Sequence, residues 1–338
     1  MKIGKLPIDM LARLLARFPA RDPRVIVGPR VGEDAAAIAF GDTAVVAGMD
    51  PITFATDLIG WYAVQVNAND IAVMGARPRW LLAALLLPPD SSESLVAGIF
   101  DQLVKACEEL DIALVGGHTE VTPAVNQPVI VGCMLGEMQA DRLVMTGGAQ
   151  PGDAIVLCGP AGIEGTAILA REAGDTLAER GLDQAAIEQG RRFLFDPGIS
   201  VVRAALAAAA VGVTAMHDPT EGGVSTGLLE LARASGTGIE VRAGAIQALP
   251  LTLDICQRLS LDPLGLIASG ALLITVAPER TDALLHALRE SGAEGRIIGR
   301  MLPPGAGLNM IVGGARRPLS EFERDEVARF LEELKANP

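Results

Sequence analysis

The stretch from Gly60 to Pro78, Gly-Trp-Tyr-Ala-Val-Gln-Val-Asn-Ala-Asn-Asp-Ile-Ala-Val-Met-Gly-Ala-Arg-Pro, constrains this chain more than any other. Trp61, Val64, Ala68, Ile71 and Ala72 recur at helical spacing, and the remaining faces are mostly apolar too. That pattern predicts a helix buried on all sides, ended by Gly75 and Pro78. Asn67 and Asp70 stand three apart and share a face. An ionised carboxylate in such surroundings is costly unless a cation or hydrogen-bond donors meet it. The stretch alone leaves open whether a backbone group or a ligand meets Asp70.

A helix without a polar face needs packing layers around it, and 338 residues suffice for two domains and a sizeable core. Half of the chain is hydrophobic, yet no uninterrupted apolar run reaches membrane-spanning length. The start, Met1 to Pro7, lacks the apolar core and cleavage site of a signal peptide. A soluble cytoplasmic protein is expected. The net charge of −13 with no basic block argues against nucleic-acid binding, which depends on neutralising phosphates. It does not argue against a nucleotide, because Mg²⁺ can bridge carboxylates and phosphates. Cys107, Cys133, Cys158 and Cys256 are far apart in apolar segments and read as four buried thiols, without zinc or disulfide spacing.

In chain order, Ile8 to Phe18 reads as an amphipathic helix, with Ile8, Leu11, Leu14, Leu15 and Phe18 on one stripe. Ala35 to Phe40 and Thr43 to Met49 read as a hairpin about Gly41-Asp42, with Asp50 at its exit and Pro51 turning the chain. After the central helix come an apolar strand, Trp80 to Leu87, and a helix capped by Ser91 or Ser92. Ile112 to Val115 is expected as a short strand emptying into a loop, Gly116-Gly117-His118-Thr119-Glu120, and Val129 to Leu135 as another strand. Turn residues at Gln150 to Asp153 place a domain boundary there, giving domains 1–150 and 151–338. The second opens with strand Ala154 to Leu157, the glycine loop 159–165 and helix Thr166 to Glu172, an order that suits either phosphate binding or tight packing. Its later part alternates strands and helices, closing with a charged helix, Leu319 to Ala336.

Four aspartates stand out by position: Asp34 before the first hairpin strand, Asp50 after the second, Asp70 in the buried helix, and Asp218 in Asp-Pro-Thr-Glu-Gly-Gly-Val. Carboxylates on rigid elements are what Mg²⁺-nucleotide chemistry requires. Each also has an ordinary reading. Asp34 and Asp50 fit turns, and Asp218 fits a helix N-cap with Pro219 and Glu221 completing a capping box.

Gly32-Glu33-Asp34-Ala35-Ala36, Asp50, Asn69 to Pro78, Gly116 to Thr119 and Asp218 to Val224 follow the order seen in the aminoimidazole-ribonucleotide (AIR) synthetase, or PurM-like, superfamily. The chain resembles that superfamily over about residues 1 to 315. Its members include thiamine-monophosphate kinase, selenophosphate synthetase and the hydrogenase maturation protein HypE, a carbamoyl dehydratase; the segments Asn69 to Pro78 and Asp218 to Val224 look most like HypE. The resemblance implies an α+β, two-domain PurM-like fold. Its N-terminal mixed α/β domain forms a β-barrel across a homodimer, and a C-terminal α/β domain packs beside it. It further implies ATP and Mg²⁺, the metal held by Asp34, Asp50, Asp70 and Asp218. The nucleotide would meet Asp34, Asn67, Asn69, Gly116, Gly117 and Thr119, with Asp70 and His118 as catalytic residues.

The resemblance has two gaps. HypE proteins present a cysteine at the extreme C-terminus, whereas this sequence ends Leu331 to Pro338 without one. His118 stands where HypE commonly has Asp, as in selenophosphate synthetase, yet no reactive cysteine lies near the start. The leading expectation is an ATP-dependent enzyme that phosphorylates an amide, carboxylate or similar oxygen of a small-molecule substrate. The alternatives are a HypE-like maturation partner that binds nucleotide without turnover, and a small-molecule kinase.

Overall fold

The computed structural model describes residues 6, 8–18, 21–29, 32–53, 57–322 and 324–336. The chain divides into two compact units. The first comprises the described residues of 17–29 and 34–143; the second comprises those up to Ala16, Gly32, Glu33 and everything described from Val144 onward. The change of unit falls at Leu143/Val144, ahead of the turn cluster at Gln150 to Asp153. Helix α1 (Ile8–Leu15) belongs to the second unit; Phe18, expected on its stripe, lies beyond its end and is exposed.

The first unit is a six-stranded sheet covered on one face by two helices. Its strands are β1 (Val25–Val27), β2 (Ala36–Phe40), β3 (Thr43–Ile52), β4 (Arg77–Leu87), β5 (Ala113–Val121) and β6 (Val129–Gln139), in the order β1-β2-β3-β6-β4-β5. All neighbours are antiparallel except β4 and β5. Helix α2 (Ile59–Val73) lies between this sheet and α3 (Glu93–Leu110), and every residue of α2 except Val66 is buried. Glycines set how closely it is held. A Cβ at Gly136 would stand 2.3 Å from Ile71 Cγ2, one at Gly132 2.5 Å from Asn67 Nδ2, and one at Gly60 2.5 Å from the Ile99 carbonyl oxygen on α3. Helix α3 opens as expected, with the Ser92 hydroxyl accepting the Leu95 N–H.

Three expectations are corrected here. β3 continues through Asp50 and Pro51 to Ile52 instead of turning. β2 pairs only as far as Ala47, so Pro51 sits where β3 has β6 alone as a neighbour, an edge position that tolerates the missing N–H. The Gly116–Glu120 segment is strand, not loop: Gly116 pairs with Leu82 and Gly117 with Ala83, after a bulge at Val115. Gly117 is required there, because a Cβ would lie 1.9 Å from the Ala83 carbonyl oxygen. Finally, Cys133 is not buried with the other three thiols. Along β6 the buried positions Ile130, Gly132, Met134 and Gly136 face α2, and Cys133 points to the opposite, helix-free face.

The second unit holds a seven-stranded sheet: β7 (Ala154–Cys158), β8 (Ala215–His217), β9 (Gly238–Arg242), β10 (Leu272–Val276), β11 (Gly295–Leu302), β12 (Leu308–Val312) and β13 (Ala315–Pro318), in the order β13-β12-β9-β11-β7-β10-β8. Every residue of β10 is buried, as expected for a strand covered on both faces. One face packs on α8 (Gly223–Ser235). The other meets α7 (Val202–Val211) and α10 (Thr281–Glu290), which approach closely enough that a Cβ at Gly295 would meet Leu288. A second core joins α4 (Ile163–Glu172), α5 (Gly174–Glu179), α6 (Gln184–Arg191), α9 (Pro250–Leu259) and α11 (Glu326–Ala336). Helix α11 begins at Glu326, not Leu319, because Leu319 still donates to the Leu308 carbonyl beside β12.

Candidate functional site

In the first unit the sequence-selected residues fall into two groups. Asp50, Asn67 and Asp70 come together where α2 crosses β3. Residues Ala44, Val46, Gly48 and Asp50 alternate toward the helix-covered face. Asp70, buried, lies over Gly48: a Cβ there would touch the Asp70 Cβ at 3.5 Å, with the Ala35 Cβ at 3.6 Å. Asp34, half-buried, is the residue before Ala35 at the entry to β2. Asp50 follows Gly48 by two positions on the same face of β3, so the side chains of Asp50 and Asp70 both belong to the helix-covered side of the sheet.

Asn67 is fully buried and holds this arrangement. Its Oδ1 accepts the Asp50 N–H at 2.9 Å, and its Nδ2 donates to the carbonyls of Ala63 at 2.9 Å and Asp50 at 3.4 Å. β2 has stopped pairing by Asp50, so the side-chain amide stands in for the strand neighbour that is missing. Asn69 is also fully buried within α2.

Gly116, Gly117, His118 and Thr119 form the second group, on edge strand β5. Strands β6 and β4 separate it from β3, about 14 Å at ordinary strand spacing. His118 is exposed, with Nε2 3.3 Å from Glu120 Oε2 on the same strand face. The fold therefore does not bring His118 to the Asp50–Asp70 group within one chain.

In the second unit Asp218 directly follows edge strand β8 and is buried. It is not a helix cap. α8 starts only at Gly223, with Gly222 at its N-cap position in a left-handed conformation (φ 76°). Gly223 is left-handed too (φ 67°), and a Cβ there would lie 2.4 Å from the Leu264 carbonyl oxygen. These two glycines delay the helix and leave residues 218–222 as a loop tied by backbone and side-chain hydrogen bonds. Thr220 carbonyl oxygen accepts from Gly223 at 3.0 Å and Ala268 at 3.3 Å, and Asp325 Oδ2 accepts the Gly222 N–H at 2.9 Å.

Sequence reasoning passed over His217, buried beside Asp218, whose Nε2 is 3.0 Å from Glu230 Oε2 on α8. It also passed over Glu164, in the first turn of α4. Burial, aided by the nearby Asp325 and Glu221 carboxylates, pushes the Glu164 carboxyl up to about 7, against the pull of its hydrogen bonds from Ser269. In the glycine loop 159–165 the tight-packing reading has direct support. Its glycines serve packing, Gly159 against the Gly270 carbonyl and Gly165 against Leu266.

The sequence matches the family described as AIR synthase related protein, its N-terminal domain over residues 32–138 and its C-terminal domain over residues 150–307. It is 30% identical to carbamoyl dehydratase HypE of Rhodobacter capsulatus over 85% of this chain and 82% of the relative. It is 31% identical to a putative hydrogenase expression/formation protein of Methanocaldococcus jannaschii, over 79% and 78%. Among solved structures, hydrogenase maturation protein HypE in complex with ATP superposes with a TM-score of 0.73 at 28% identity, covering 87% of this chain and 89% of that one. ThiL complexed with AMPPCP and TMP has the same fold, with a TM-score of 0.69 at 21% identity.

Proposed function

The chain belongs to the AIR synthase-related family, and from that premise we propose that it is an ATP-dependent enzyme that phosphorylates an amide, carboxylate or similar oxygen of a small molecule. The observation that carries this is the pair of carboxylates, Asp50 and Asp70, on the helix-covered side of the first sheet, with Asn67 fixing the backbone of Asp50. The Rhodobacter capsulatus relative is named a carbamoyl dehydratase, and a hydrogenase maturation protein HypE of this fold has been solved in complex with ATP.

Carboxylate oxygens are hard donors, the set that suits Mg²⁺. In the first unit Asp34, Asp50 and Asp70 would hold the ion; in the second, Asp218 would meet metal or phosphate. When bound, Mg²⁺ supplies charge neutralisation on the phosphate oxygens. The residues of the chain do the rest. Asn67 holds Asp50 in register, Asp70 places its charge from a helix buried along nearly its whole length, and the αL glycines shape the loop carrying Asp218. The family resemblance assigns Gly116, Gly117, Asn67, Asn69 and Thr119 to the nucleotide and His118 to catalysis; the amide of Asn67, already bonded to the Asp50 and Ala63 backbone, serves it by holding Asp50.

We further assign this protein to a homodimer. The helix-free face of the first sheet carries Met49, Leu82, Ala84, Leu86, Val131 and Cys133, with Met49 62% and Leu82 37% exposed in the single chain. An apolar face of this kind, bounded by the unpaired edge of β5, suits a second copy of itself. Among the described residues no helix is long and apolar enough to cross a membrane. The HypE–HypF complex is a precedent, at the level of fold, for docking a maturation partner.

Titration calorimetry with ATP, with and without Mg²⁺, tests the central reading. Binding that requires Mg²⁺ is expected; no binding under either condition would remove it. Turnover stimulated by one small molecule would separate the enzyme from a nucleotide-binding partner.

A further inference from the structure

Asp325 stands at the head of α11, buried, and its two oxygens do different things. Oδ1 accepts the Val327 N–H at 2.8 Å, an ordinary helix cap. Oδ2 reaches 103 positions back along the chain to the Gly222 N–H at 2.9 Å. A cap needs one oxygen, and Ser, Thr or Asn would supply it without burying a charge. This carboxylate is instead kept among acids: Glu221 adjoins Gly222, and the buried Glu164, held by Ser269, faces it from α4. Burial and Glu221 push the Asp325 carboxyl up to about 6, with the backbone donors of Gly222 and Val327 pulling it down. Gly222 is itself buried, so its N–H must find a partner inside the protein.

We propose that Asp325 is a positioning residue for the loop 218–223: by accepting the Gly222 N–H from the head of α11, it fixes the turn that presents Asp218. This rests on the reading that Asp218 serves the nucleotide. Asp325 acts through Gly222 and touches no ligand. The C-terminal helix is thus a brace for the loop.

The test uses the full-length protein with Asp325→Asn and Asp325→Ser. Either side chain still caps α11 through one oxygen, but neither offers Gly222 a second acceptor. Hydrogen exchange of the peptide spanning 217–224 should quicken at least about tenfold, the loss of one charge-assisted hydrogen bond, while α11 peptides stay protected and the melting temperature moves little. Affinity for ATP in the presence of MgCl₂ should fall by about the same factor. Unchanged exchange at 217–224 in both variants, with α11 intact, would overturn the proposal. So would a loosened loop with undiminished ATP affinity. If the unaltered protein binds no ATP, the functional reading fails by itself, and hydrogen exchange still decides whether Asp325 holds the loop.

Discussion

The amide of Asn67 takes both backbone groups of Asp50, accepting its N–H at 2.9 Å and donating to its carbonyl at 3.4 Å, at the point where β3 has lost β2 as a neighbour. Gly132, paired with Asp50 on β6, makes the room for it. The three residues are one mechanical element, and it can be tested as one. Asn67→Ala should cost about 1–3 kcal/mol by leaving buried backbone groups unsatisfied. Gly132→Ala should cost a similar amount by overpacking against Nδ2. In urea unfolding the double variant should lose clearly less than the sum, because removing the amide relieves the clash. Strict additivity would show that the two do not share a contact.

Asp70→Asn keeps the shape over Gly48 and removes the charge. The Mg²⁺-dependent part of ATP binding should weaken by an order of magnitude or more, with little change in melting temperature. A variant that loses stability and keeps its ATP affinity would make Asp70 a structural residue.

Glu164 gives a pH signature. Its carboxyl stands at about 7 in the folded chain against an ordinary 4.5. Between those values the folded state binds more protons than the unfolded state, so the Glu164 contribution falls as pH rises. It is fully present below about 4.5 and lost once pH passes about 7, a difference of about 3 kcal/mol at roughly 1.4 kcal/mol per unit. Glu164→Gln should therefore melt higher than the parent at pH 8, with the gain vanishing near pH 4.5. A gain that does not change with pH would exclude this account.

The thiols separate by face. Burial pushes Cys107 up to about 11, and Cys158 and Cys256 up to about 12. These three should react with a thiol reagent only after unfolding. Cys133, on the helix-free face of the first sheet, should react first, and more slowly as protein concentration rises and dimers cover that face. Rapid native labelling of any of the other three, with loss of activity, would return a thiol carrier to the chemistry.

The buried helix was legible because α2 is apolar on every side, and no other environment suits such a pattern. The hairpin β2–β3 was legible from its turn and alternation. β5 was not, since Gly116-Gly117 reads as a breaker; only pairing with β4, against Ala83, shows why a strand keeps those glycines. Asp218 stands out by its motif, but Asp-Pro-Thr-Glu also spells a capping box, and two left-handed glycines overrule it. β8 is three residues long and β13 is Ala-Arg-Arg-Pro, neither with a readable period. Glu164 and Asp325 owe their character to partners far along the chain, which spacing cannot reveal.

The complete enclosure of α2 bears on how related sequences should be read. Asn67 completes a strand and Gly132 makes room for it, so both would persist in a descendant that had abandoned its chemistry. Their presence in a relative is a record of shared ancestry and of a fold kept intact. Under the proposed function, Asp70 and Asp218 are instead the positions whose loss would accompany loss of the chemistry.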